Sequence, residues 1–473
     1  MKMRKPEKIF IISSVLPNCS VNKEQLKSME NYARHLKKYN TEIIIYETAL
    51  KEKETFWDKN IYNEYLIDGD KKLNSNLTVK NLNIRHTTMN PILNVGFYNN
   101  SIIIPAPRLA WNTLAKQNKS EKYPRAVFTT GTISNSENYK ITKSEQQAKF
   151  IHEKQGQGFL IVEVMSNKLF VARQVDWDNE NECFYDTLHN KQVLKVTSKS
   201  VKEDTAKELS TGDLHHDHLD YDCWEWTEEL IKNTKPENLF LHDAFDASSW
   251  LINHHVANQM IKRENNAIDV KQELENFLQW LDRLSKKDFM KKTNIRIVAS
   301  NHNEFIDRFV EDENRLRMVT DELFYSIKNS DKKKEVMAQN TLSVFSELIN
   351  YVKSHKNPIE EYYLKRFSKN NRVIFNKRGD SYISKGGYQM LDHGDIGSNG
   401  SKGSPAQFNR IAPGATITGH THSPLRTIFG NYVNGCSCDL NPSYTNPSGY
   451  SSWLQAHTIV FKNGKAQSLV FIQ

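Results

Sequence analysis

Cysteine is scarce in this chain. Five among 473 residues, an odd number, exclude a disulfide scaffold and agree with a reducing compartment. Long apolar runs are also missing: none approaches the roughly 18 residues that a membrane helix needs. The run Ile9–Leu16 follows a basic start, Met1-Lys2-Met3-Arg4-Lys5, but it is short and is broken by Ser13 and Ser14. No small-residue cleavage site precedes Cys19, so the run reads as a first β-strand rather than a leader. The N-terminal half carries no phosphate-loop or dinucleotide glycine pattern, and no stretch of the chain is repetitive or of low complexity. A soluble, cytoplasmic, membrane-free protein is expected.

What is present is an ordinary globular composition, 38% hydrophobic and 25% charged. The length suits two or three domains. Net charge is +8, from 64 basic and 56 acidic residues, a balance that suits a polyanionic partner. The first part alternates strand and helix patterns: Ile9–Leu16 as strand, Asn22–Lys38 as amphipathic helix, Ile43–Tyr46 as strand. Apolar runs follow at Ser101–Pro105 and Ala126–Thr130, and Met165-Ser166-Asn167-Lys168 joins Gly158–Val164 to Leu169–Val175 as a hairpin. The polar stretch Thr197–Thr205 is the expected boundary between a smaller α/β domain, 1–205, and a second domain, 206–473. Phe305–Arg366 reads as a charge-rich helical insert, with Lys332-Lys333-Lys334 on a solvated face. Glycine, serine and asparagine make loops of Gly379–Gly403.

From residue 206 onward, histidine and aspartate gather in five short motifs, most of them directly behind an apolar run. They are Gly212-Asp213-Leu214-His215, His242-Asp243-Ala244-Phe245-Asp246, Ser300-Asn301-His302-Asn303-Glu304, Asp392-His393-Gly394-Asp395 and Gly419-His420-Thr421-His422. Loops at the carboxyl ends of parallel strands converge on one crevice, so ligands distant in sequence meet there. An Asp-x-His pair at a strand end offers two ligands on one side, because alternate residues share a face. A two-metal hydrolase needs such a set plus one carboxylate bridging ions ~3.5–4 Å apart. Mixed His, Asp and Asn ligands favour manganese, iron or zinc over a site for magnesium alone.

In this order the motifs resemble those of the calcineurin-like metallophosphoesterases. That resemblance implies a four-layer α/β/β/α sandwich over 206–473 and two divalent metal ions, manganese foremost, with iron, zinc or magnesium as alternatives. It implies that Asp213, His215 and His422 hold the first ion, that Asp243 bridges, and that Asn301, His393 and His420 hold the second. His302 matches the family's catalytic histidine. Asp246 matches a carboxylate that orients that histidine in some members, and an acid there can equally cap a following helix. The chain departs from the family pattern where His242 and Ser300 replace glycines and where Asn303 stands in place of an acid. His355 is the other histidine between the third and fifth motifs; the glycine-rich loop around His393 favours the latter. His216, His218, His254 and His255 read as supporting or surface groups, and Cys436-Ser437-Cys438 as two free thiols rather than half of a zinc clip.

Longer stretches are similar to the nuclease branch, and most to the pre-early DNases of T-five-like phages. These are Ser300–Arg308, His393–Gly400, Gly419–Pro424 and Pro447–Trp453, with Pro124–Thr132 and Phe170–Val175 in the N-terminal half. The cellular double-strand-break nucleases are more distant relatives. The resemblance implies hydrolysis of DNA phosphodiesters in the host cytoplasm. With no base-reading motif, DNA is expected to bind without strong sequence specificity, and Arg308 is a candidate phosphate contact. A small-molecule or cyclic-nucleotide phosphoesterase is the enzyme alternative, and a non-catalytic scaffold for DNA or a host factor the alternative of another class. The N-terminal half is expected to serve oligomerisation, as a homo-oligomer, or substrate access.

Overall fold

The computed structural model describes residues 5–48, 57–85, 88–92, 98–118, 120–135, 155–189, 191–246, 270–311, 328, 332–367, 372–396, 414–440 and 450–472. Its architecture is mixed α/β, with three mixed sheets and seven helices among the described residues.

The first sheet is ordered β12 (Val201–Asp204), β11 (Gln192–Val196), β10 (Cys183–Leu188), β9 (Phe170–Asp178), β8 (Gly158–Val164), β1 (Lys8–Val15) and β2 (Thr41–Glu47). Strand β1 is apolar almost throughout because both its faces are covered. Ile9 and Ile11 lie in a cluster with Leu26 and Met29 of helix α1 (Lys23–His35), and Phe10 and Ile12 in the cluster on the opposite side. Helix α1 starts at Asn22, whose side chain accepts the Gln25 N–H. The expected hairpin is present, with Val164 opposite Phe170.

The second sheet is ordered β16 (Val373–Phe375), β15 (Asn294–Ile297), β14 (Asn238–Leu241), β13 (Ala206–Ser210), β20 (Ala456–Phe461) and β21 (Ala466–Val470). Its first four strands run parallel, with Glu208 opposite Asn238 and Asn238 opposite Asn294. Leu239 and Leu241 of β14 pack towards helices α3 (Tyr221–Thr234) and α4 (Val270–Lys286). Leu274, Phe277, Leu278, Leu281 and Leu284 of α4 recur at helical spacing and form one buried stripe. Phe240, which alternates with its neighbours, joins Val298, Ile417 and Tyr432 on the other face.

The third sheet is ordered β17 (Ile417–Thr418), β19 (Tyr432–Val433), β18 (Leu425–Arg426), β6 (Trp111–Leu114), β7 (Arg125–Thr129), β5 (Ser101–Ile104), β4 (Leu77–Val79) and β3 (Lys71–Asn74). It takes strands from both sides of residue 205: Leu425 pairs with Asn112 and Arg426 with Trp111. Arg426 also forks onto Asp176 of β9, both bonds at 2.8 Å. Short helix α2 (Lys59–Tyr62) lies in the first part. Helices α5 (Phe305–Glu311), α6 (Lys332–Lys353) and α7 (Pro358–Arg366) occupy the charge-rich segment. No described helix is long and apolar enough to cross a membrane.

Candidate metal centre

Parallel strands β13, β14 and β15 end on the same edge of the second sheet, and each delivers one motif there. Backbone bonds fix the loops to one another. Leu214 N–H donates to His242 O at 2.9 Å, His215 N–H to Asp243 O at 2.8 Å, and Gly419 N–H to His393 O at 3.0 Å. Four residues of these loops hold positive φ without being glycine: His215 (44°), Asp243 (40°), His420 (73°) and His422 (56°). Such conformations cost ~1–3 kcal/mol each and persist where the surroundings over-determine them, which is typical of functional sites.

The side chains form two contiguous groups. In one, His422 Nε2 lies 3.1 Å from Asp213 Oδ2 and 3.0 Å from His215 Nε2. In the other, His393 Nε2 lies 3.0 Å from Asp243 Oδ2, and His420 completes the group with its ligand atom within 4.8 Å of theirs. Asp243 Oδ2 is also 3.9 Å from His215 Nε2, so this one oxygen stands between the groups. Gly419 lies against Asp213; a Cβ there would come 2.0 Å from Asp213 Oδ1.

Asp213 and Asp243 are buried, and each has a second oxygen, Oδ1, with no hydrogen-bond partner. Asn301 Oδ1 and His422 Nδ1 are also buried without partners. Unsatisfied buried polar atoms are costly, and carboxylate and amide oxygens left so among buried histidines are chemically suited to a cation. Contacts near 3 Å between ligand atoms equal the edge length expected for ligands ~2.1 Å from a six-coordinate ion. The groups therefore fit metal ions.

The electrostatics agree. Burial alone would raise the Asp213 and Asp243 carboxyls, but the neighbouring histidines hold both below the usual carboxylate range. Burial likewise opposes charge on His393, yet Asp243 and Asp213 bring it up to about 9. Without another cation these aspartates are balanced by imidazolium protons. A divalent ion supplies the same balance and releases those protons.

Each expected residue can now be placed. Asp213, His215 and His422 are together, as are Asp243, His393 and His420. Asn301 follows Ser300 on the same loop as His302. Asp246 Oδ1 contacts His302 Nδ1 at 2.8 Å and His215 Nδ1 at 3.0 Å. The helix-cap alternative concerns residues after 246, which lie outside the described residues, as do His254, His255 and the side chain of Arg308. His355 is exposed at the end of the α6 segment, not at the centre. Cys436 and Cys438 are free, buried thiols whose ligand atoms lie within 4.8 Å of one on His422.

Four further residues surround the centre; sequence reasoning noted His242 and Asn303 only as departures and His218 as a supporting or surface group, and it missed His457. His242 is fully buried, its Nδ1 3.3 Å from His393 Nδ1 and its Nε2 3.1 Å from Ser210 Oγ. Burial, reinforced by His393, pushes it down to about 4, so it is neutral and can accept from His393 while donating to Ser210. His457 Nδ1 accepts the Gly212 N–H at 2.9 Å, and its Nε2 faces Thr227 Oγ1 at 2.8 Å. Asn303 Nδ2 donates to Val298 O while its Oδ1 accepts the Phe245 N–H, a double duty that a carboxylate cannot perform. His218 Nε2 lies 3.3 Å from Asp246 Oδ2. None of these carries a sequence signal beyond lying near a motif, and His457 lacks even that.

Over 503 aligned positions, 99% of the chain is 26% identical to Protein A1 of Escherichia phage T5, of which the match covers 82%. No family model matches the chain, and no solved structure does. The chain is thus similar to a phage protein along nearly its whole length, and it places buried histidines and aspartates where they could hold metal ions.

Proposed function

We propose that this protein is a two-metal phosphodiesterase that hydrolyses DNA during phage infection, on a metallophosphoesterase sandwich of α/β/β/α layers. The observation that carries the reading is Asp243 Oδ2, 3.0 Å from His393 Nε2 and 3.9 Å from His215 Nε2, where a carboxylate bridging two ions belongs. Asp213, His215 and His422 would hold one ion, and Asn301, His393 and His420 the other. When bound, two divalent ions, manganese foremost, supply Lewis acidity towards a phosphate and lower the pKa of an attacking water.

The chain's own groups do the rest. Asp246 keeps a proton on His302 Nδ1 and aims the ring, leaving Nε2 to deliver a proton to the departing sugar oxygen. His242 and His457 fix the loops that carry His393 and Asp213. The net charge of +8 favours a polyanionic substrate, and DNA is engaged without sequence preference, in the host cytoplasm.

The test is digestion of linear, circular and single-stranded DNA with Mn²⁺, using Asp243→Ala as control. Metal-dependent cleavage lost in the variant is expected. Absence of cleavage by protein shown to bind manganese overturns the DNase reading in favour of small phosphoesters.

A further inference from the structure

A second feature lies beyond the metal centre. A cleft of about 640 Å³ opens between the third sheet, the β8–β9 hairpin and the end of β21, within the range of pockets that take nucleotide-sized ligands. Two of its walls are the half-buried rings of Tyr123 and Phe170, both backed by the buried cluster that includes Phe128. Its cations are Lys122, Arg125 and Lys168; the lysines are exposed, and the Arg125 guanidinium donates to the backbone carbonyls of Ala115 and Tyr98 rather than to a carboxylate. The acid among its lining residues, Glu121, is turned into its own loop, accepting from the Gln117 N–H and Asn118 Nδ2.

One lining residue ties this cleft to the metal centre. Leu454 lines it, and the Leu454 N–H donates to the His422 carbonyl at 3.0 Å. The preceding residue, Trp453, sets its ring 4.2 Å from that of His422. Tyr123 and Trp453 both pack on the cluster of Cys436, Cys438 and Leu440, so aromatic rings lead from the cleft towards His422.

We infer that the cleft seats a short unpaired stretch of the polynucleotide whose phosphodiester lies at the metal centre. The inference rests on the proposed DNase reading and adds the form of DNA engaged. Unpaired bases present faces that stack on Tyr123 and Phe170, and their phosphates meet the lysines and Arg125. A duplex hides those faces. The N-terminal half thereby supplies the strand track, and the C-terminal half the chemistry.

The test uses the full chain in chelator, where no cleavage occurs, with a fluorescein-labelled 12-mer oligothymidylate followed by anisotropy from 50 to 300 mM salt. Tyr123→Leu keeps an apolar packing group and is expected to weaken binding about 10-fold through lost stacking. Lys168→Gln, at an exposed site, is expected to weaken binding and to reduce the salt slope by about 0.7. Lys232→Gln, on the exposed face of α3, controls for general charge and is expected to bind as the unaltered protein does. Oligothymidylate binding unchanged by both cleft substitutions overturns the inference, as does a blunt duplex that binds as tightly and is weakened equally by Tyr123→Leu. Hydrolysis of bis(p-nitrophenyl) phosphate with Mn²⁺ by the unaltered protein separates the two claims, because so small a diester does not need the cleft. Hydrolysis with unchanged oligonucleotide binding defeats the cleft alone. Cleft-dependent binding without hydrolysis supports the cleft and defeats the phosphodiesterase reading.

Discussion

Asp246 Oδ1 contacts the Nδ1 atoms of His302 and His215 together, at 2.8 Å and 3.0 Å. One carboxylate oxygen thus orients both the expected proton donor and an expected metal ligand. Burial would raise this carboxyl, but His215 and His302 hold it well below the usual range, so it stays ionised.

Substitutions separate the two duties. His302→Ala is expected to lower the rate ~10²–10⁴-fold while leaving manganese affinity intact. Asp246→Asn is expected to lower the rate and also to weaken manganese binding ~10–100-fold, because His215 loses its support. Calorimetric titration with Mn²⁺ beside steady-state rates decides it. Unaltered manganese affinity in Asp246→Asn would show that His215 is positioned without it.

Gly419→Ala tests the approach of backbone to ligand. Its Cβ would fall 2.0 Å from Asp213 Oδ1, whose neighbour Oδ2 also accepts the His420 N–H at 2.7 Å. The clash is expected to cost about 1–3 kcal/mol of stability and to displace Asp213, abolishing activity. Chemical denaturation and metal analysis read the two effects, and a variant with normal manganese content would refute the contact.

His242→Ala removes the buried imidazole 3.3 Å from His393 Nδ1. Manganese affinity is expected to drop ~10–100-fold, as for other groups that orient a ligand histidine. The fold should persist, since Asn434 Nδ2 still donates to Ser210 Oγ. Far-ultraviolet circular dichroism checks the fold. Full affinity in the variant would reduce His242 to a space-filling role.

His457 predicts an acid-sensitive stability. Burial pushes its imidazole down to about 4, and the Gly212 N–H occupies its Nδ1 as acceptor, so the folded state keeps it neutral. In the unfolded chain it protonates near ~6.5. The unfolded state therefore binds the extra proton between these values. Its contribution to stability is complete above pH ~6.5 and declines as pH falls towards 4, by up to about 3 kcal/mol. Urea denaturation of the unaltered protein and His457→Gln should show a gap that narrows from pH 7 to pH 4.5. A constant gap would mean that the folded state does not hold His457 below its unfolded value.

The sequence by itself determined the strand ends and the residues placed on them. Apolar runs followed at once by Asp213, Asp243 or Asn301 are local patterns, because a strand is recognisable from its own residues and its end delivers whatever comes next. The same locality made the β8–β9 hairpin and helix α1 legible. Pairings between distant segments were decided only by tertiary structure. Strand β18 joins β6 with Thr113 Oγ1 reaching Pro424 O across 311 positions, and no local pattern encodes which edge a two-residue strand will choose. His457 meets Gly212 across 245 positions and Asp246 meets His302 across 56. Which histidines gather with Asp213 and Asp243, which lie behind them, and which aromatic rings pack near His422 depend on where the packed sheets bring the loops. Hydrophobic burial sets those positions for the whole chain at once, whereas a motif records only its own few residues.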